Sequence, residues 1–329
     1  LYAFLTASVI DSEFLISKKD ISALPKIVSF LDEPIGDPII IPIFLLAKKA
    51  RKKVKVVLTG DGADEIFGGY IHHLALLYGE RLKKVFPFLP IVAPFIPSKF
   101  IERFFPYPAS LGAKGKERLV GYLQAKTLGE SFLSFASLFT REEKKSLYTK
   151  VFFQKIKDKN AVEKEIKKRF QGQKGDILSK VILQDVSFWL SDYILFMADR
   201  LSMANGLEAR VPYLDKDLVE FVLSLPSSLK INFLTNKYIL RKAVDFLPKS
   251  ASGRQKQAFF VPIEKSFGQD FDKLISLTLS PARVKKRGLF NYQYIKYLLT
   301  NVSHSPLLLG KQLMALVILE LWFQNFLDS

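Results

Sequence analysis

The chain contains no cysteine, which excludes disulfides, thiolate metal sites and a cysteine nucleophile. That absence fits a reducing compartment, and a cytoplasmic location is the expectation. Histidine is almost as scarce. His72, His73 and His304 are the three present, too few for a metal set, so the adjacent His72 and His73 read as surface residues of a helix. No run reaches the roughly 20 apolar residues that a membrane-spanning helix needs. Val85–Ile96 is interrupted by Pro87, Pro90 and Pro94, and Leu313–Phe323 carries Glu320. A soluble chain is expected. No signal peptide is visible, and the start at Leu1 rather than Met suggests a fragment.

Acidic residues are in deficit: 32 Asp and Glu stand against 49 Lys and Arg, a net charge of +17. Such a balance can mark a nucleic-acid binder. Here the positive charges are dispersed, and in the densest stretch Lys164, Lys167, Lys168 and Arg169 alternate with Glu163 and Glu165. That is the pattern of a solvated helix face, so nucleic acid is not the favoured partner. The 329 residues, 49% of them hydrophobic, suffice for one large domain or two ordinary ones.

The most informative stretch is Val54 to Tyr70, read as Val-Lys-Val-Val-Leu-Thr-Gly-Asp-Gly-Ala-Asp-Glu-Ile-Phe-Gly-Gly-Tyr. A β-branched run ends in a glycine turn, and Asp61, Asp64 and Glu65 follow. In open α/β sheets, ligands bind beyond the carboxyl ends of the strands. Gly60 and Gly62 allow close approach or positive φ. Asp61 and Asp64, three apart, would share a face of a helical turn. Two carboxylates beside such a loop suit Mg²⁺. The spacing is not that of a P-loop, since no Gly-Lys-Ser/Thr follows. In a dinucleotide fingerprint the third glycine would fall at Glu65. In an EF-hand Ala63 would have to supply an oxygen. Read alone, the stretch also fits a plain strand-to-helix turn with acidic residues at the helix start.

Around it the chain reads as α/β and then largely helical. Asp20 is placed to cap a helix running through Ile21, Leu24, Ile27, Val28 and Leu31. Residues 39–51 carry a second helical pattern. Val54–Leu58 has the composition of a strand buried on both faces, and its sheet neighbours are expected upstream. Residues 71–180 look helical with a proline-rich break, and 181–205 form a long helix without Gly or Pro. Asp185, Asp192 and Asp199 repeat every seven residues along it, which would align them on one stripe. Among large apolar neighbours, Asp199, Arg200, Glu208 and Arg210 are expected to be partly buried and paired. A hydrophobic C-terminal helix over Leu313–Leu327 should be buried.

The Val54–Tyr70 string closely resembles the signature of the asparagine synthetase family, a strand followed by Ser/Thr-Gly-Asp/Glu-Gly-x-Asp-Glu-x-Phe-Gly-Gly-Tyr. Asp199–Asp215 resembles that family's Asp-Arg-x-Ser-Met-Ala-x-x-x-Glu-x-Arg-x-Pro-Phe-Leu-Asp, with Tyr213 in place of Phe. Arg254–Ile263 resembles Arg-x-Lys-x-x-Phe-x-x-Pro, and Lys237–Arg241 echoes Lys-x-x-Leu-Arg, read as scaffold. Leu31–Pro38 and Leu319–Trp322 match a Leu-Asp-Glu-Pro-x-x-Asp loop and a closing Leu-Glu-x-Trp. Where relatives carry Leu-Pro-Asp-Asp this chain has Leu190-Ser191-Asp192-Tyr193, so Asp192 is the candidate for the acidic residue that orients the active-site lysine.

The resemblance implies an incomplete adenine-nucleotide alpha-hydrolase-like (ATP-pyrophosphatase) α/β fold, a parallel sheet with a large helical portion. Residues 1–329 would be a synthetase domain lacking its N-terminal part. Within it, 1–70 would end the nucleotide-binding core, 71–180 form a helical region, and 181–329 complete the site. The implied reaction is ATP-dependent amidation of aspartate to asparagine through a β-aspartyl-adenylate, with glutamine-derived ammonia. Thr59 and Gly60 would face the adenylate, Asp61 would take part in forming it, Asp64 would ligate Mg²⁺, and Lys256 would contact the phosphate. The family's pyrophosphate loop, Ser-Gly-Gly-x-Asp-Ser, occurs nowhere in the chain; family spacing puts it several dozen residues before Leu1. The glutaminase domain with its N-terminal cysteine is missing too, so the chain alone should be inactive. Open alternatives are a related amidotransferase or cyclising synthetase acting on another carboxylate, and a non-catalytic remnant that binds an anionic partner. Oligomeric state is undetermined, a homodimer being one arrangement.

Overall fold

A computed structural model describes residues 17–95, 112–247 and 268–328. The chain divides into two discontinuous compact units. The first comprises Leu1–Ile16, Pro42–Leu82 and Gly172–Phe260, and the second Ser17–Ile41, Lys83–Gln171 and Val261–Ser329. The described residues are mostly helical, with one small parallel sheet.

In the first unit, strand β1 (Val56–Leu58) pairs in parallel with β2 (Glu208–Arg210), Val57 opposite Ala209. The ladder runs on at each end, Glu208 N–H donating to the Lys55 carbonyl at 2.9 Å and Thr59 N–H to that of Arg210 at 2.8 Å. One neighbour of β1 therefore lies downstream, a strand that the local pattern did not mark, because β2 folds back after a long helical excursion. Nor is β1 buried on both faces: Val56 is 40% and Leu58 73% exposed. An apolar run predicts burial only where neighbouring elements cover both faces, and among the described residues the sheet has two strands.

A continuous helix, Ile177–Met203, leads into β2. Asp176 caps it, its carboxylate accepting the Ser179 N–H at 2.8 Å. Its middle, Asp185–Leu195, is π-helical. Seven residues make two turns only at 3.6 per turn, and i→i+5 bonding widens the turn. The expected stripe of aspartates is accordingly absent: Asp185 is buried, whereas Asp192 and Asp199 are exposed. Arg200, Glu208 and Arg210 are exposed as well, so these groups are not the half-buried pairs expected. Glu208 and Arg210 do pair, with each other, at 2.7 Å.

The second unit is built around the C-terminal helix, Pro306–Phe326, which starts with Pro306 in its first turn. Leu309, Leu313, Met314, Val317 and Ile318 on it are all buried, each contributing roughly 1.5–3 kcal/mol. Gly36 lies against it so closely that an added Cβ would stand 3.0 Å from that of Ala315. Its Trp322 Nε1–H donates to the Asp32 carbonyl at 3.1 Å. Near its end Arg287 bonds both oxygens of Glu320, each at 2.9 Å. At the other end of this unit's sequence, Ser17 rather than Asp20 caps the first helix, a 3-10 turn over Lys18–Ala23. Asp20 instead accepts the Ser17 N–H at 2.6 Å, the reciprocal arm of a capping box.

Two helices, Ile177–Met203 and Pro306–Phe326, are long and apolar enough to cross a membrane by length and composition. The apolar window Leu313–Phe323 is the inner part of the longer helix Pro306–Phe326. In the second helix 61% of the apolar window is buried inside the protein, as in a core helix.

Candidate active site

The turn after β1 is shaped by its glycines. Gly62 precedes the short helix Ala63–Phe67 with φ +89, a conformation that L side chains resist. An added Cβ there would also come within 2.2 Å of Leu214. At Gly69 an added Cβ would stand 1.9 Å from Asp64 Oδ1, so the backbone passes directly against that carboxylate. Gly60 differs: an added Cβ would meet nothing within 4 Å. Open space there leaves room for a ligand to approach the backbone.

Thr59 Oγ1–H donates to Asp61 Oδ2 at 2.8 Å, which joins two of the candidate residues at the strand end. Asp61 precedes the helix and Asp64 lies in its first turn. Asp64 Oδ1 pairs with Lys237 Nζ at 3.0 Å, and both side chains are partly exposed. Lys237 has left-handed backbone, φ 51, and its neighbour Asn236 donates through Nδ2 to the Gly69 carbonyl at 2.8 Å. Asp192 is exposed on the π-helical segment and accepts a hydrogen bond from Ser191 at 2.7 Å. Lys256 and the motif around it lie outside the described residues.

The turn is anchored from below. Ile66 and Phe67 are buried with Val222, packed against Tyr213, Leu214, Ile239 and Leu240, and Phe67 meets Tyr213 edge to face. The signature thus packs on the segments that carry two other sequence blocks. Glu65 is buried and accepts the Tyr70 hydroxyl. Burial pushes the Glu65 carboxyl up, against the opposing effect of the Tyr70 bond. Burial beside Glu65 likewise pushes the Tyr70 phenol far up, so it stays protonated.

The next turn corrects the reading of the histidines. His73 is fully buried and His72 only partly exposed. Both Nε2 atoms reach one oxygen of Asp185, at 2.8 Å from His72 and 2.6 Å from His73. Burial alone would raise the Asp185 carboxyl, but the two imidazole bonds hold it below its ordinary value. Burial keeps His73 neutral by lowering its pKa. The partner lies 112 positions away from His73, so no local pattern could reveal it. Lys237, whose block reads as scaffold, likewise meets Asp64 only through the fold, so no local pattern marked it.

Comparison with known proteins gives the family of this mostly helical chain with its small parallel sheet. The profile described as asparagine synthase matches residues 4–324, and the chain belongs to that family. It is 33% identical over 259 residues to asparagine synthetase [glutamine-hydrolyzing] 1 of Bacillus subtilis, covering 77% of this chain and 38% of that protein. A putative asparagine synthetase [glutamine-hydrolyzing] of Mycobacterium bovis is 35% identical over 245 residues, covering 74% and 35% respectively. The amidase chry2 of Gibberella zeae is 26% identical over 257 residues, 73% of this chain and 37% of that protein. The chain spans little more than a third of the length of these relatives.

Proposed function

We propose that the chain is the synthetase part of a carbon–nitrogen ligase that amidates aspartate to asparagine, with ATP as the activating substrate and glutamine-derived ammonia as the nitrogen source. The observation that carries this reading is the turn itself. Gly60 opens onto space, Thr59 and Asp61 are joined beside it, and Asp64 presents a partly exposed carboxylate. Backbone and hydroxyl at 59–60 suit contacts to an adenylate, and the hard carboxylate of Asp64 suits Mg²⁺. Such an ion supplies positive charge against the charge that builds on departing pyrophosphate. Thr59 orients Asp61, the acidic group placed for forming the β-aspartyl-adenylate. Lys256 is the residue assigned to the phosphate, since a compact ammonium can follow developing negative charge. Asp192 is assigned to orienting that lysine. The fold read here is the end of an ATP-pyrophosphatase-type α/β core, and the exposed apolar β1 is what a strand of a larger parallel sheet would present. The phosphate loop Ser-Gly-Gly-x-Asp-Ser and the glutaminase domain would be supplied from outside these residues.

The test is ATP–pyrophosphate exchange with Mg²⁺ and aspartate, on the natural full-length protein and on the 329-residue chain as control. Aspartate-dependent exchange in the full-length protein alone is the expected result. A folded full-length protein without exchange on aspartate rejects the assignment. Exchange restricted to another carboxylate would move it to the cyclising or amidotransferase branch.

A further inference from the structure

The histidine pair is not needed by the chemistry proposed above, yet it is the densest cluster of metal-type donors among the described residues. We propose that Nε2 of His72, Nε2 of His73 and a carboxylate oxygen of Asp185 form a binding site for a divalent first-row transition-metal ion of the zinc type. The inference is independent of the ligase reading.

Geometry carries it. The three donor atoms lie within 4.8 Å of one another, and both imidazole nitrogens point at one carboxylate oxygen, at 2.8 and 2.6 Å. A tetrahedral zinc site with bonds of about 2.0–2.2 Å spaces its ligand atoms about 3.3–3.5 Å apart. Seating an ion therefore asks the carboxylate to withdraw by less than about 1 Å and the two imidazole nitrogens, up to 4.8 Å apart, to close by up to about 1.5 Å. Two imidazoles and one carboxylate favour zinc-like ions over Mg²⁺, and three protein donors leave a fourth position open. His73 and Asp185 are buried while His72 keeps 21% exposure, which leaves an approach from solvent on the His72 side.

The surroundings fit. A liganding histidine ordinarily fixes its other nitrogen on a backbone carbonyl or carboxylate. The His73 ring has such a partner in the Gly68 backbone, and its Nδ1 also faces the Tyr70 N–H at 3.3 Å. The Tyr70 ring stacks on His72 at 5.1 Å and 16°, which restricts that ring. Glu65 and Asp185 are both buried carboxylates close enough to repel one another. Buried charge of one sign is normally paired or coordinated to a metal. Binding replaces the Nε2 protons and puts the proton of each neutral ring on Nδ1, which in His73 means giving up the bond that Nδ1 accepts from the Tyr70 N–H.

The full chain, stripped with a chelator, is titrated with Zn²⁺ alone by calorimetry, and with Co²⁺ followed by visible absorption. The expected result is one ion per chain, a tetrahedral Co²⁺ spectrum bleached by Zn²⁺, and affinity falling at least about 100-fold in His72→Ala and His73→Gln. His304→Ala, which removes the remaining histidine, should bind as the parent does. Should His73→Gln fail to fold, His72→Ala decides, because it leaves the His73–Asp185 bond intact. Absence of stoichiometric binding overturns the proposal, as does unchanged affinity in His72→Ala or loss of binding in His304→Ala.

Discussion

The turn from Thr59 to Tyr70 and the C-terminal helix Pro306–Phe326 both hold charged side chains, but in opposite ways. At the helix, Glu320 is almost fully covered and Arg287 closes on it with two hydrogen bonds. Arg287 also bonds Asp328 at 2.6 Å and lies over the Phe323 ring at 4.7 Å. These partners raise the guanidinium pKa well above its ordinary value, so the pair is locked in its ionic form. At the turn, Asp64 pairs with Lys237 at 3.0 Å and stays partly exposed, and among the described residues nothing stands within 4 Å of a Cβ at Gly60. Closed charge pairs serve stability; half-open ones remain available to a ligand. The difference teaches that burial separates structural from chemical carboxylates better than residue type does.

Substitutions at four positions can break or sharpen that contrast. The largest effect is expected from Glu320→Ala, which removes one of the two carboxylates that hold Arg287 and should cost about 1.5–3 kcal/mol. A shift in the urea midpoint of less than a third of that would show the pair to be solvated instead. Next is Asp64→Asn. In the full-length enzyme it should lower turnover about 10²–10³-fold while changing stability by less than about 1 kcal/mol, as befits a partly exposed pair. Turnover near that of the parent would remove Asp64 from the site.

Asp176→Ala should cost about 1 kcal/mol through the lost cap of the long helix. Burial opposes ionisation of Asp176, but the Ser179 and Ser227 bonds win and its pKa lies below the ordinary 3.8. A depressed carboxylate stabilises above its unfolded value and loses that contribution as pH falls through the folded one. Asp176→Asn should therefore lose that contribution near pH 7 and flatten the acid side of the stability profile below about pH 4. The smallest effect is expected at Glu208 and Arg210, exposed on β2. Glu208→Gln should move stability by less than about 1 kcal/mol and less still in high salt. A larger loss would mean that β2 is covered in solution.

Local patterns made much of this readable in advance. The helix at 40–50 and the buried C-terminal helix follow from apolar spacing, and the strand–turn–helix at 56–67 from a β-branched run ended by glycines. The candidate turn was found because its chemistry is contiguous in sequence. What failed depended on distance along the chain or on a changed helical period. The partner of β1 lies some 150 residues downstream, the aspartate spacing assumed an α-helix where the turn is wider, and the histidines looked exposed until a remote aspartate covered them.

By itself, then, the amino-acid order determined the secondary structure of the strongly periodic segments, the acidic glycine turn and the family to which the chain belongs. Those features rest on backbone preference and side-chain period, which act over a few residues. Only the tertiary structure decided that β2 pairs with β1, that Lys237 stands against Asp64, and that His72 and His73 converge on Asp185. Each of these brings together groups far apart in sequence. Burial then lowers the pKa of His73, because desolvation penalises its charged form.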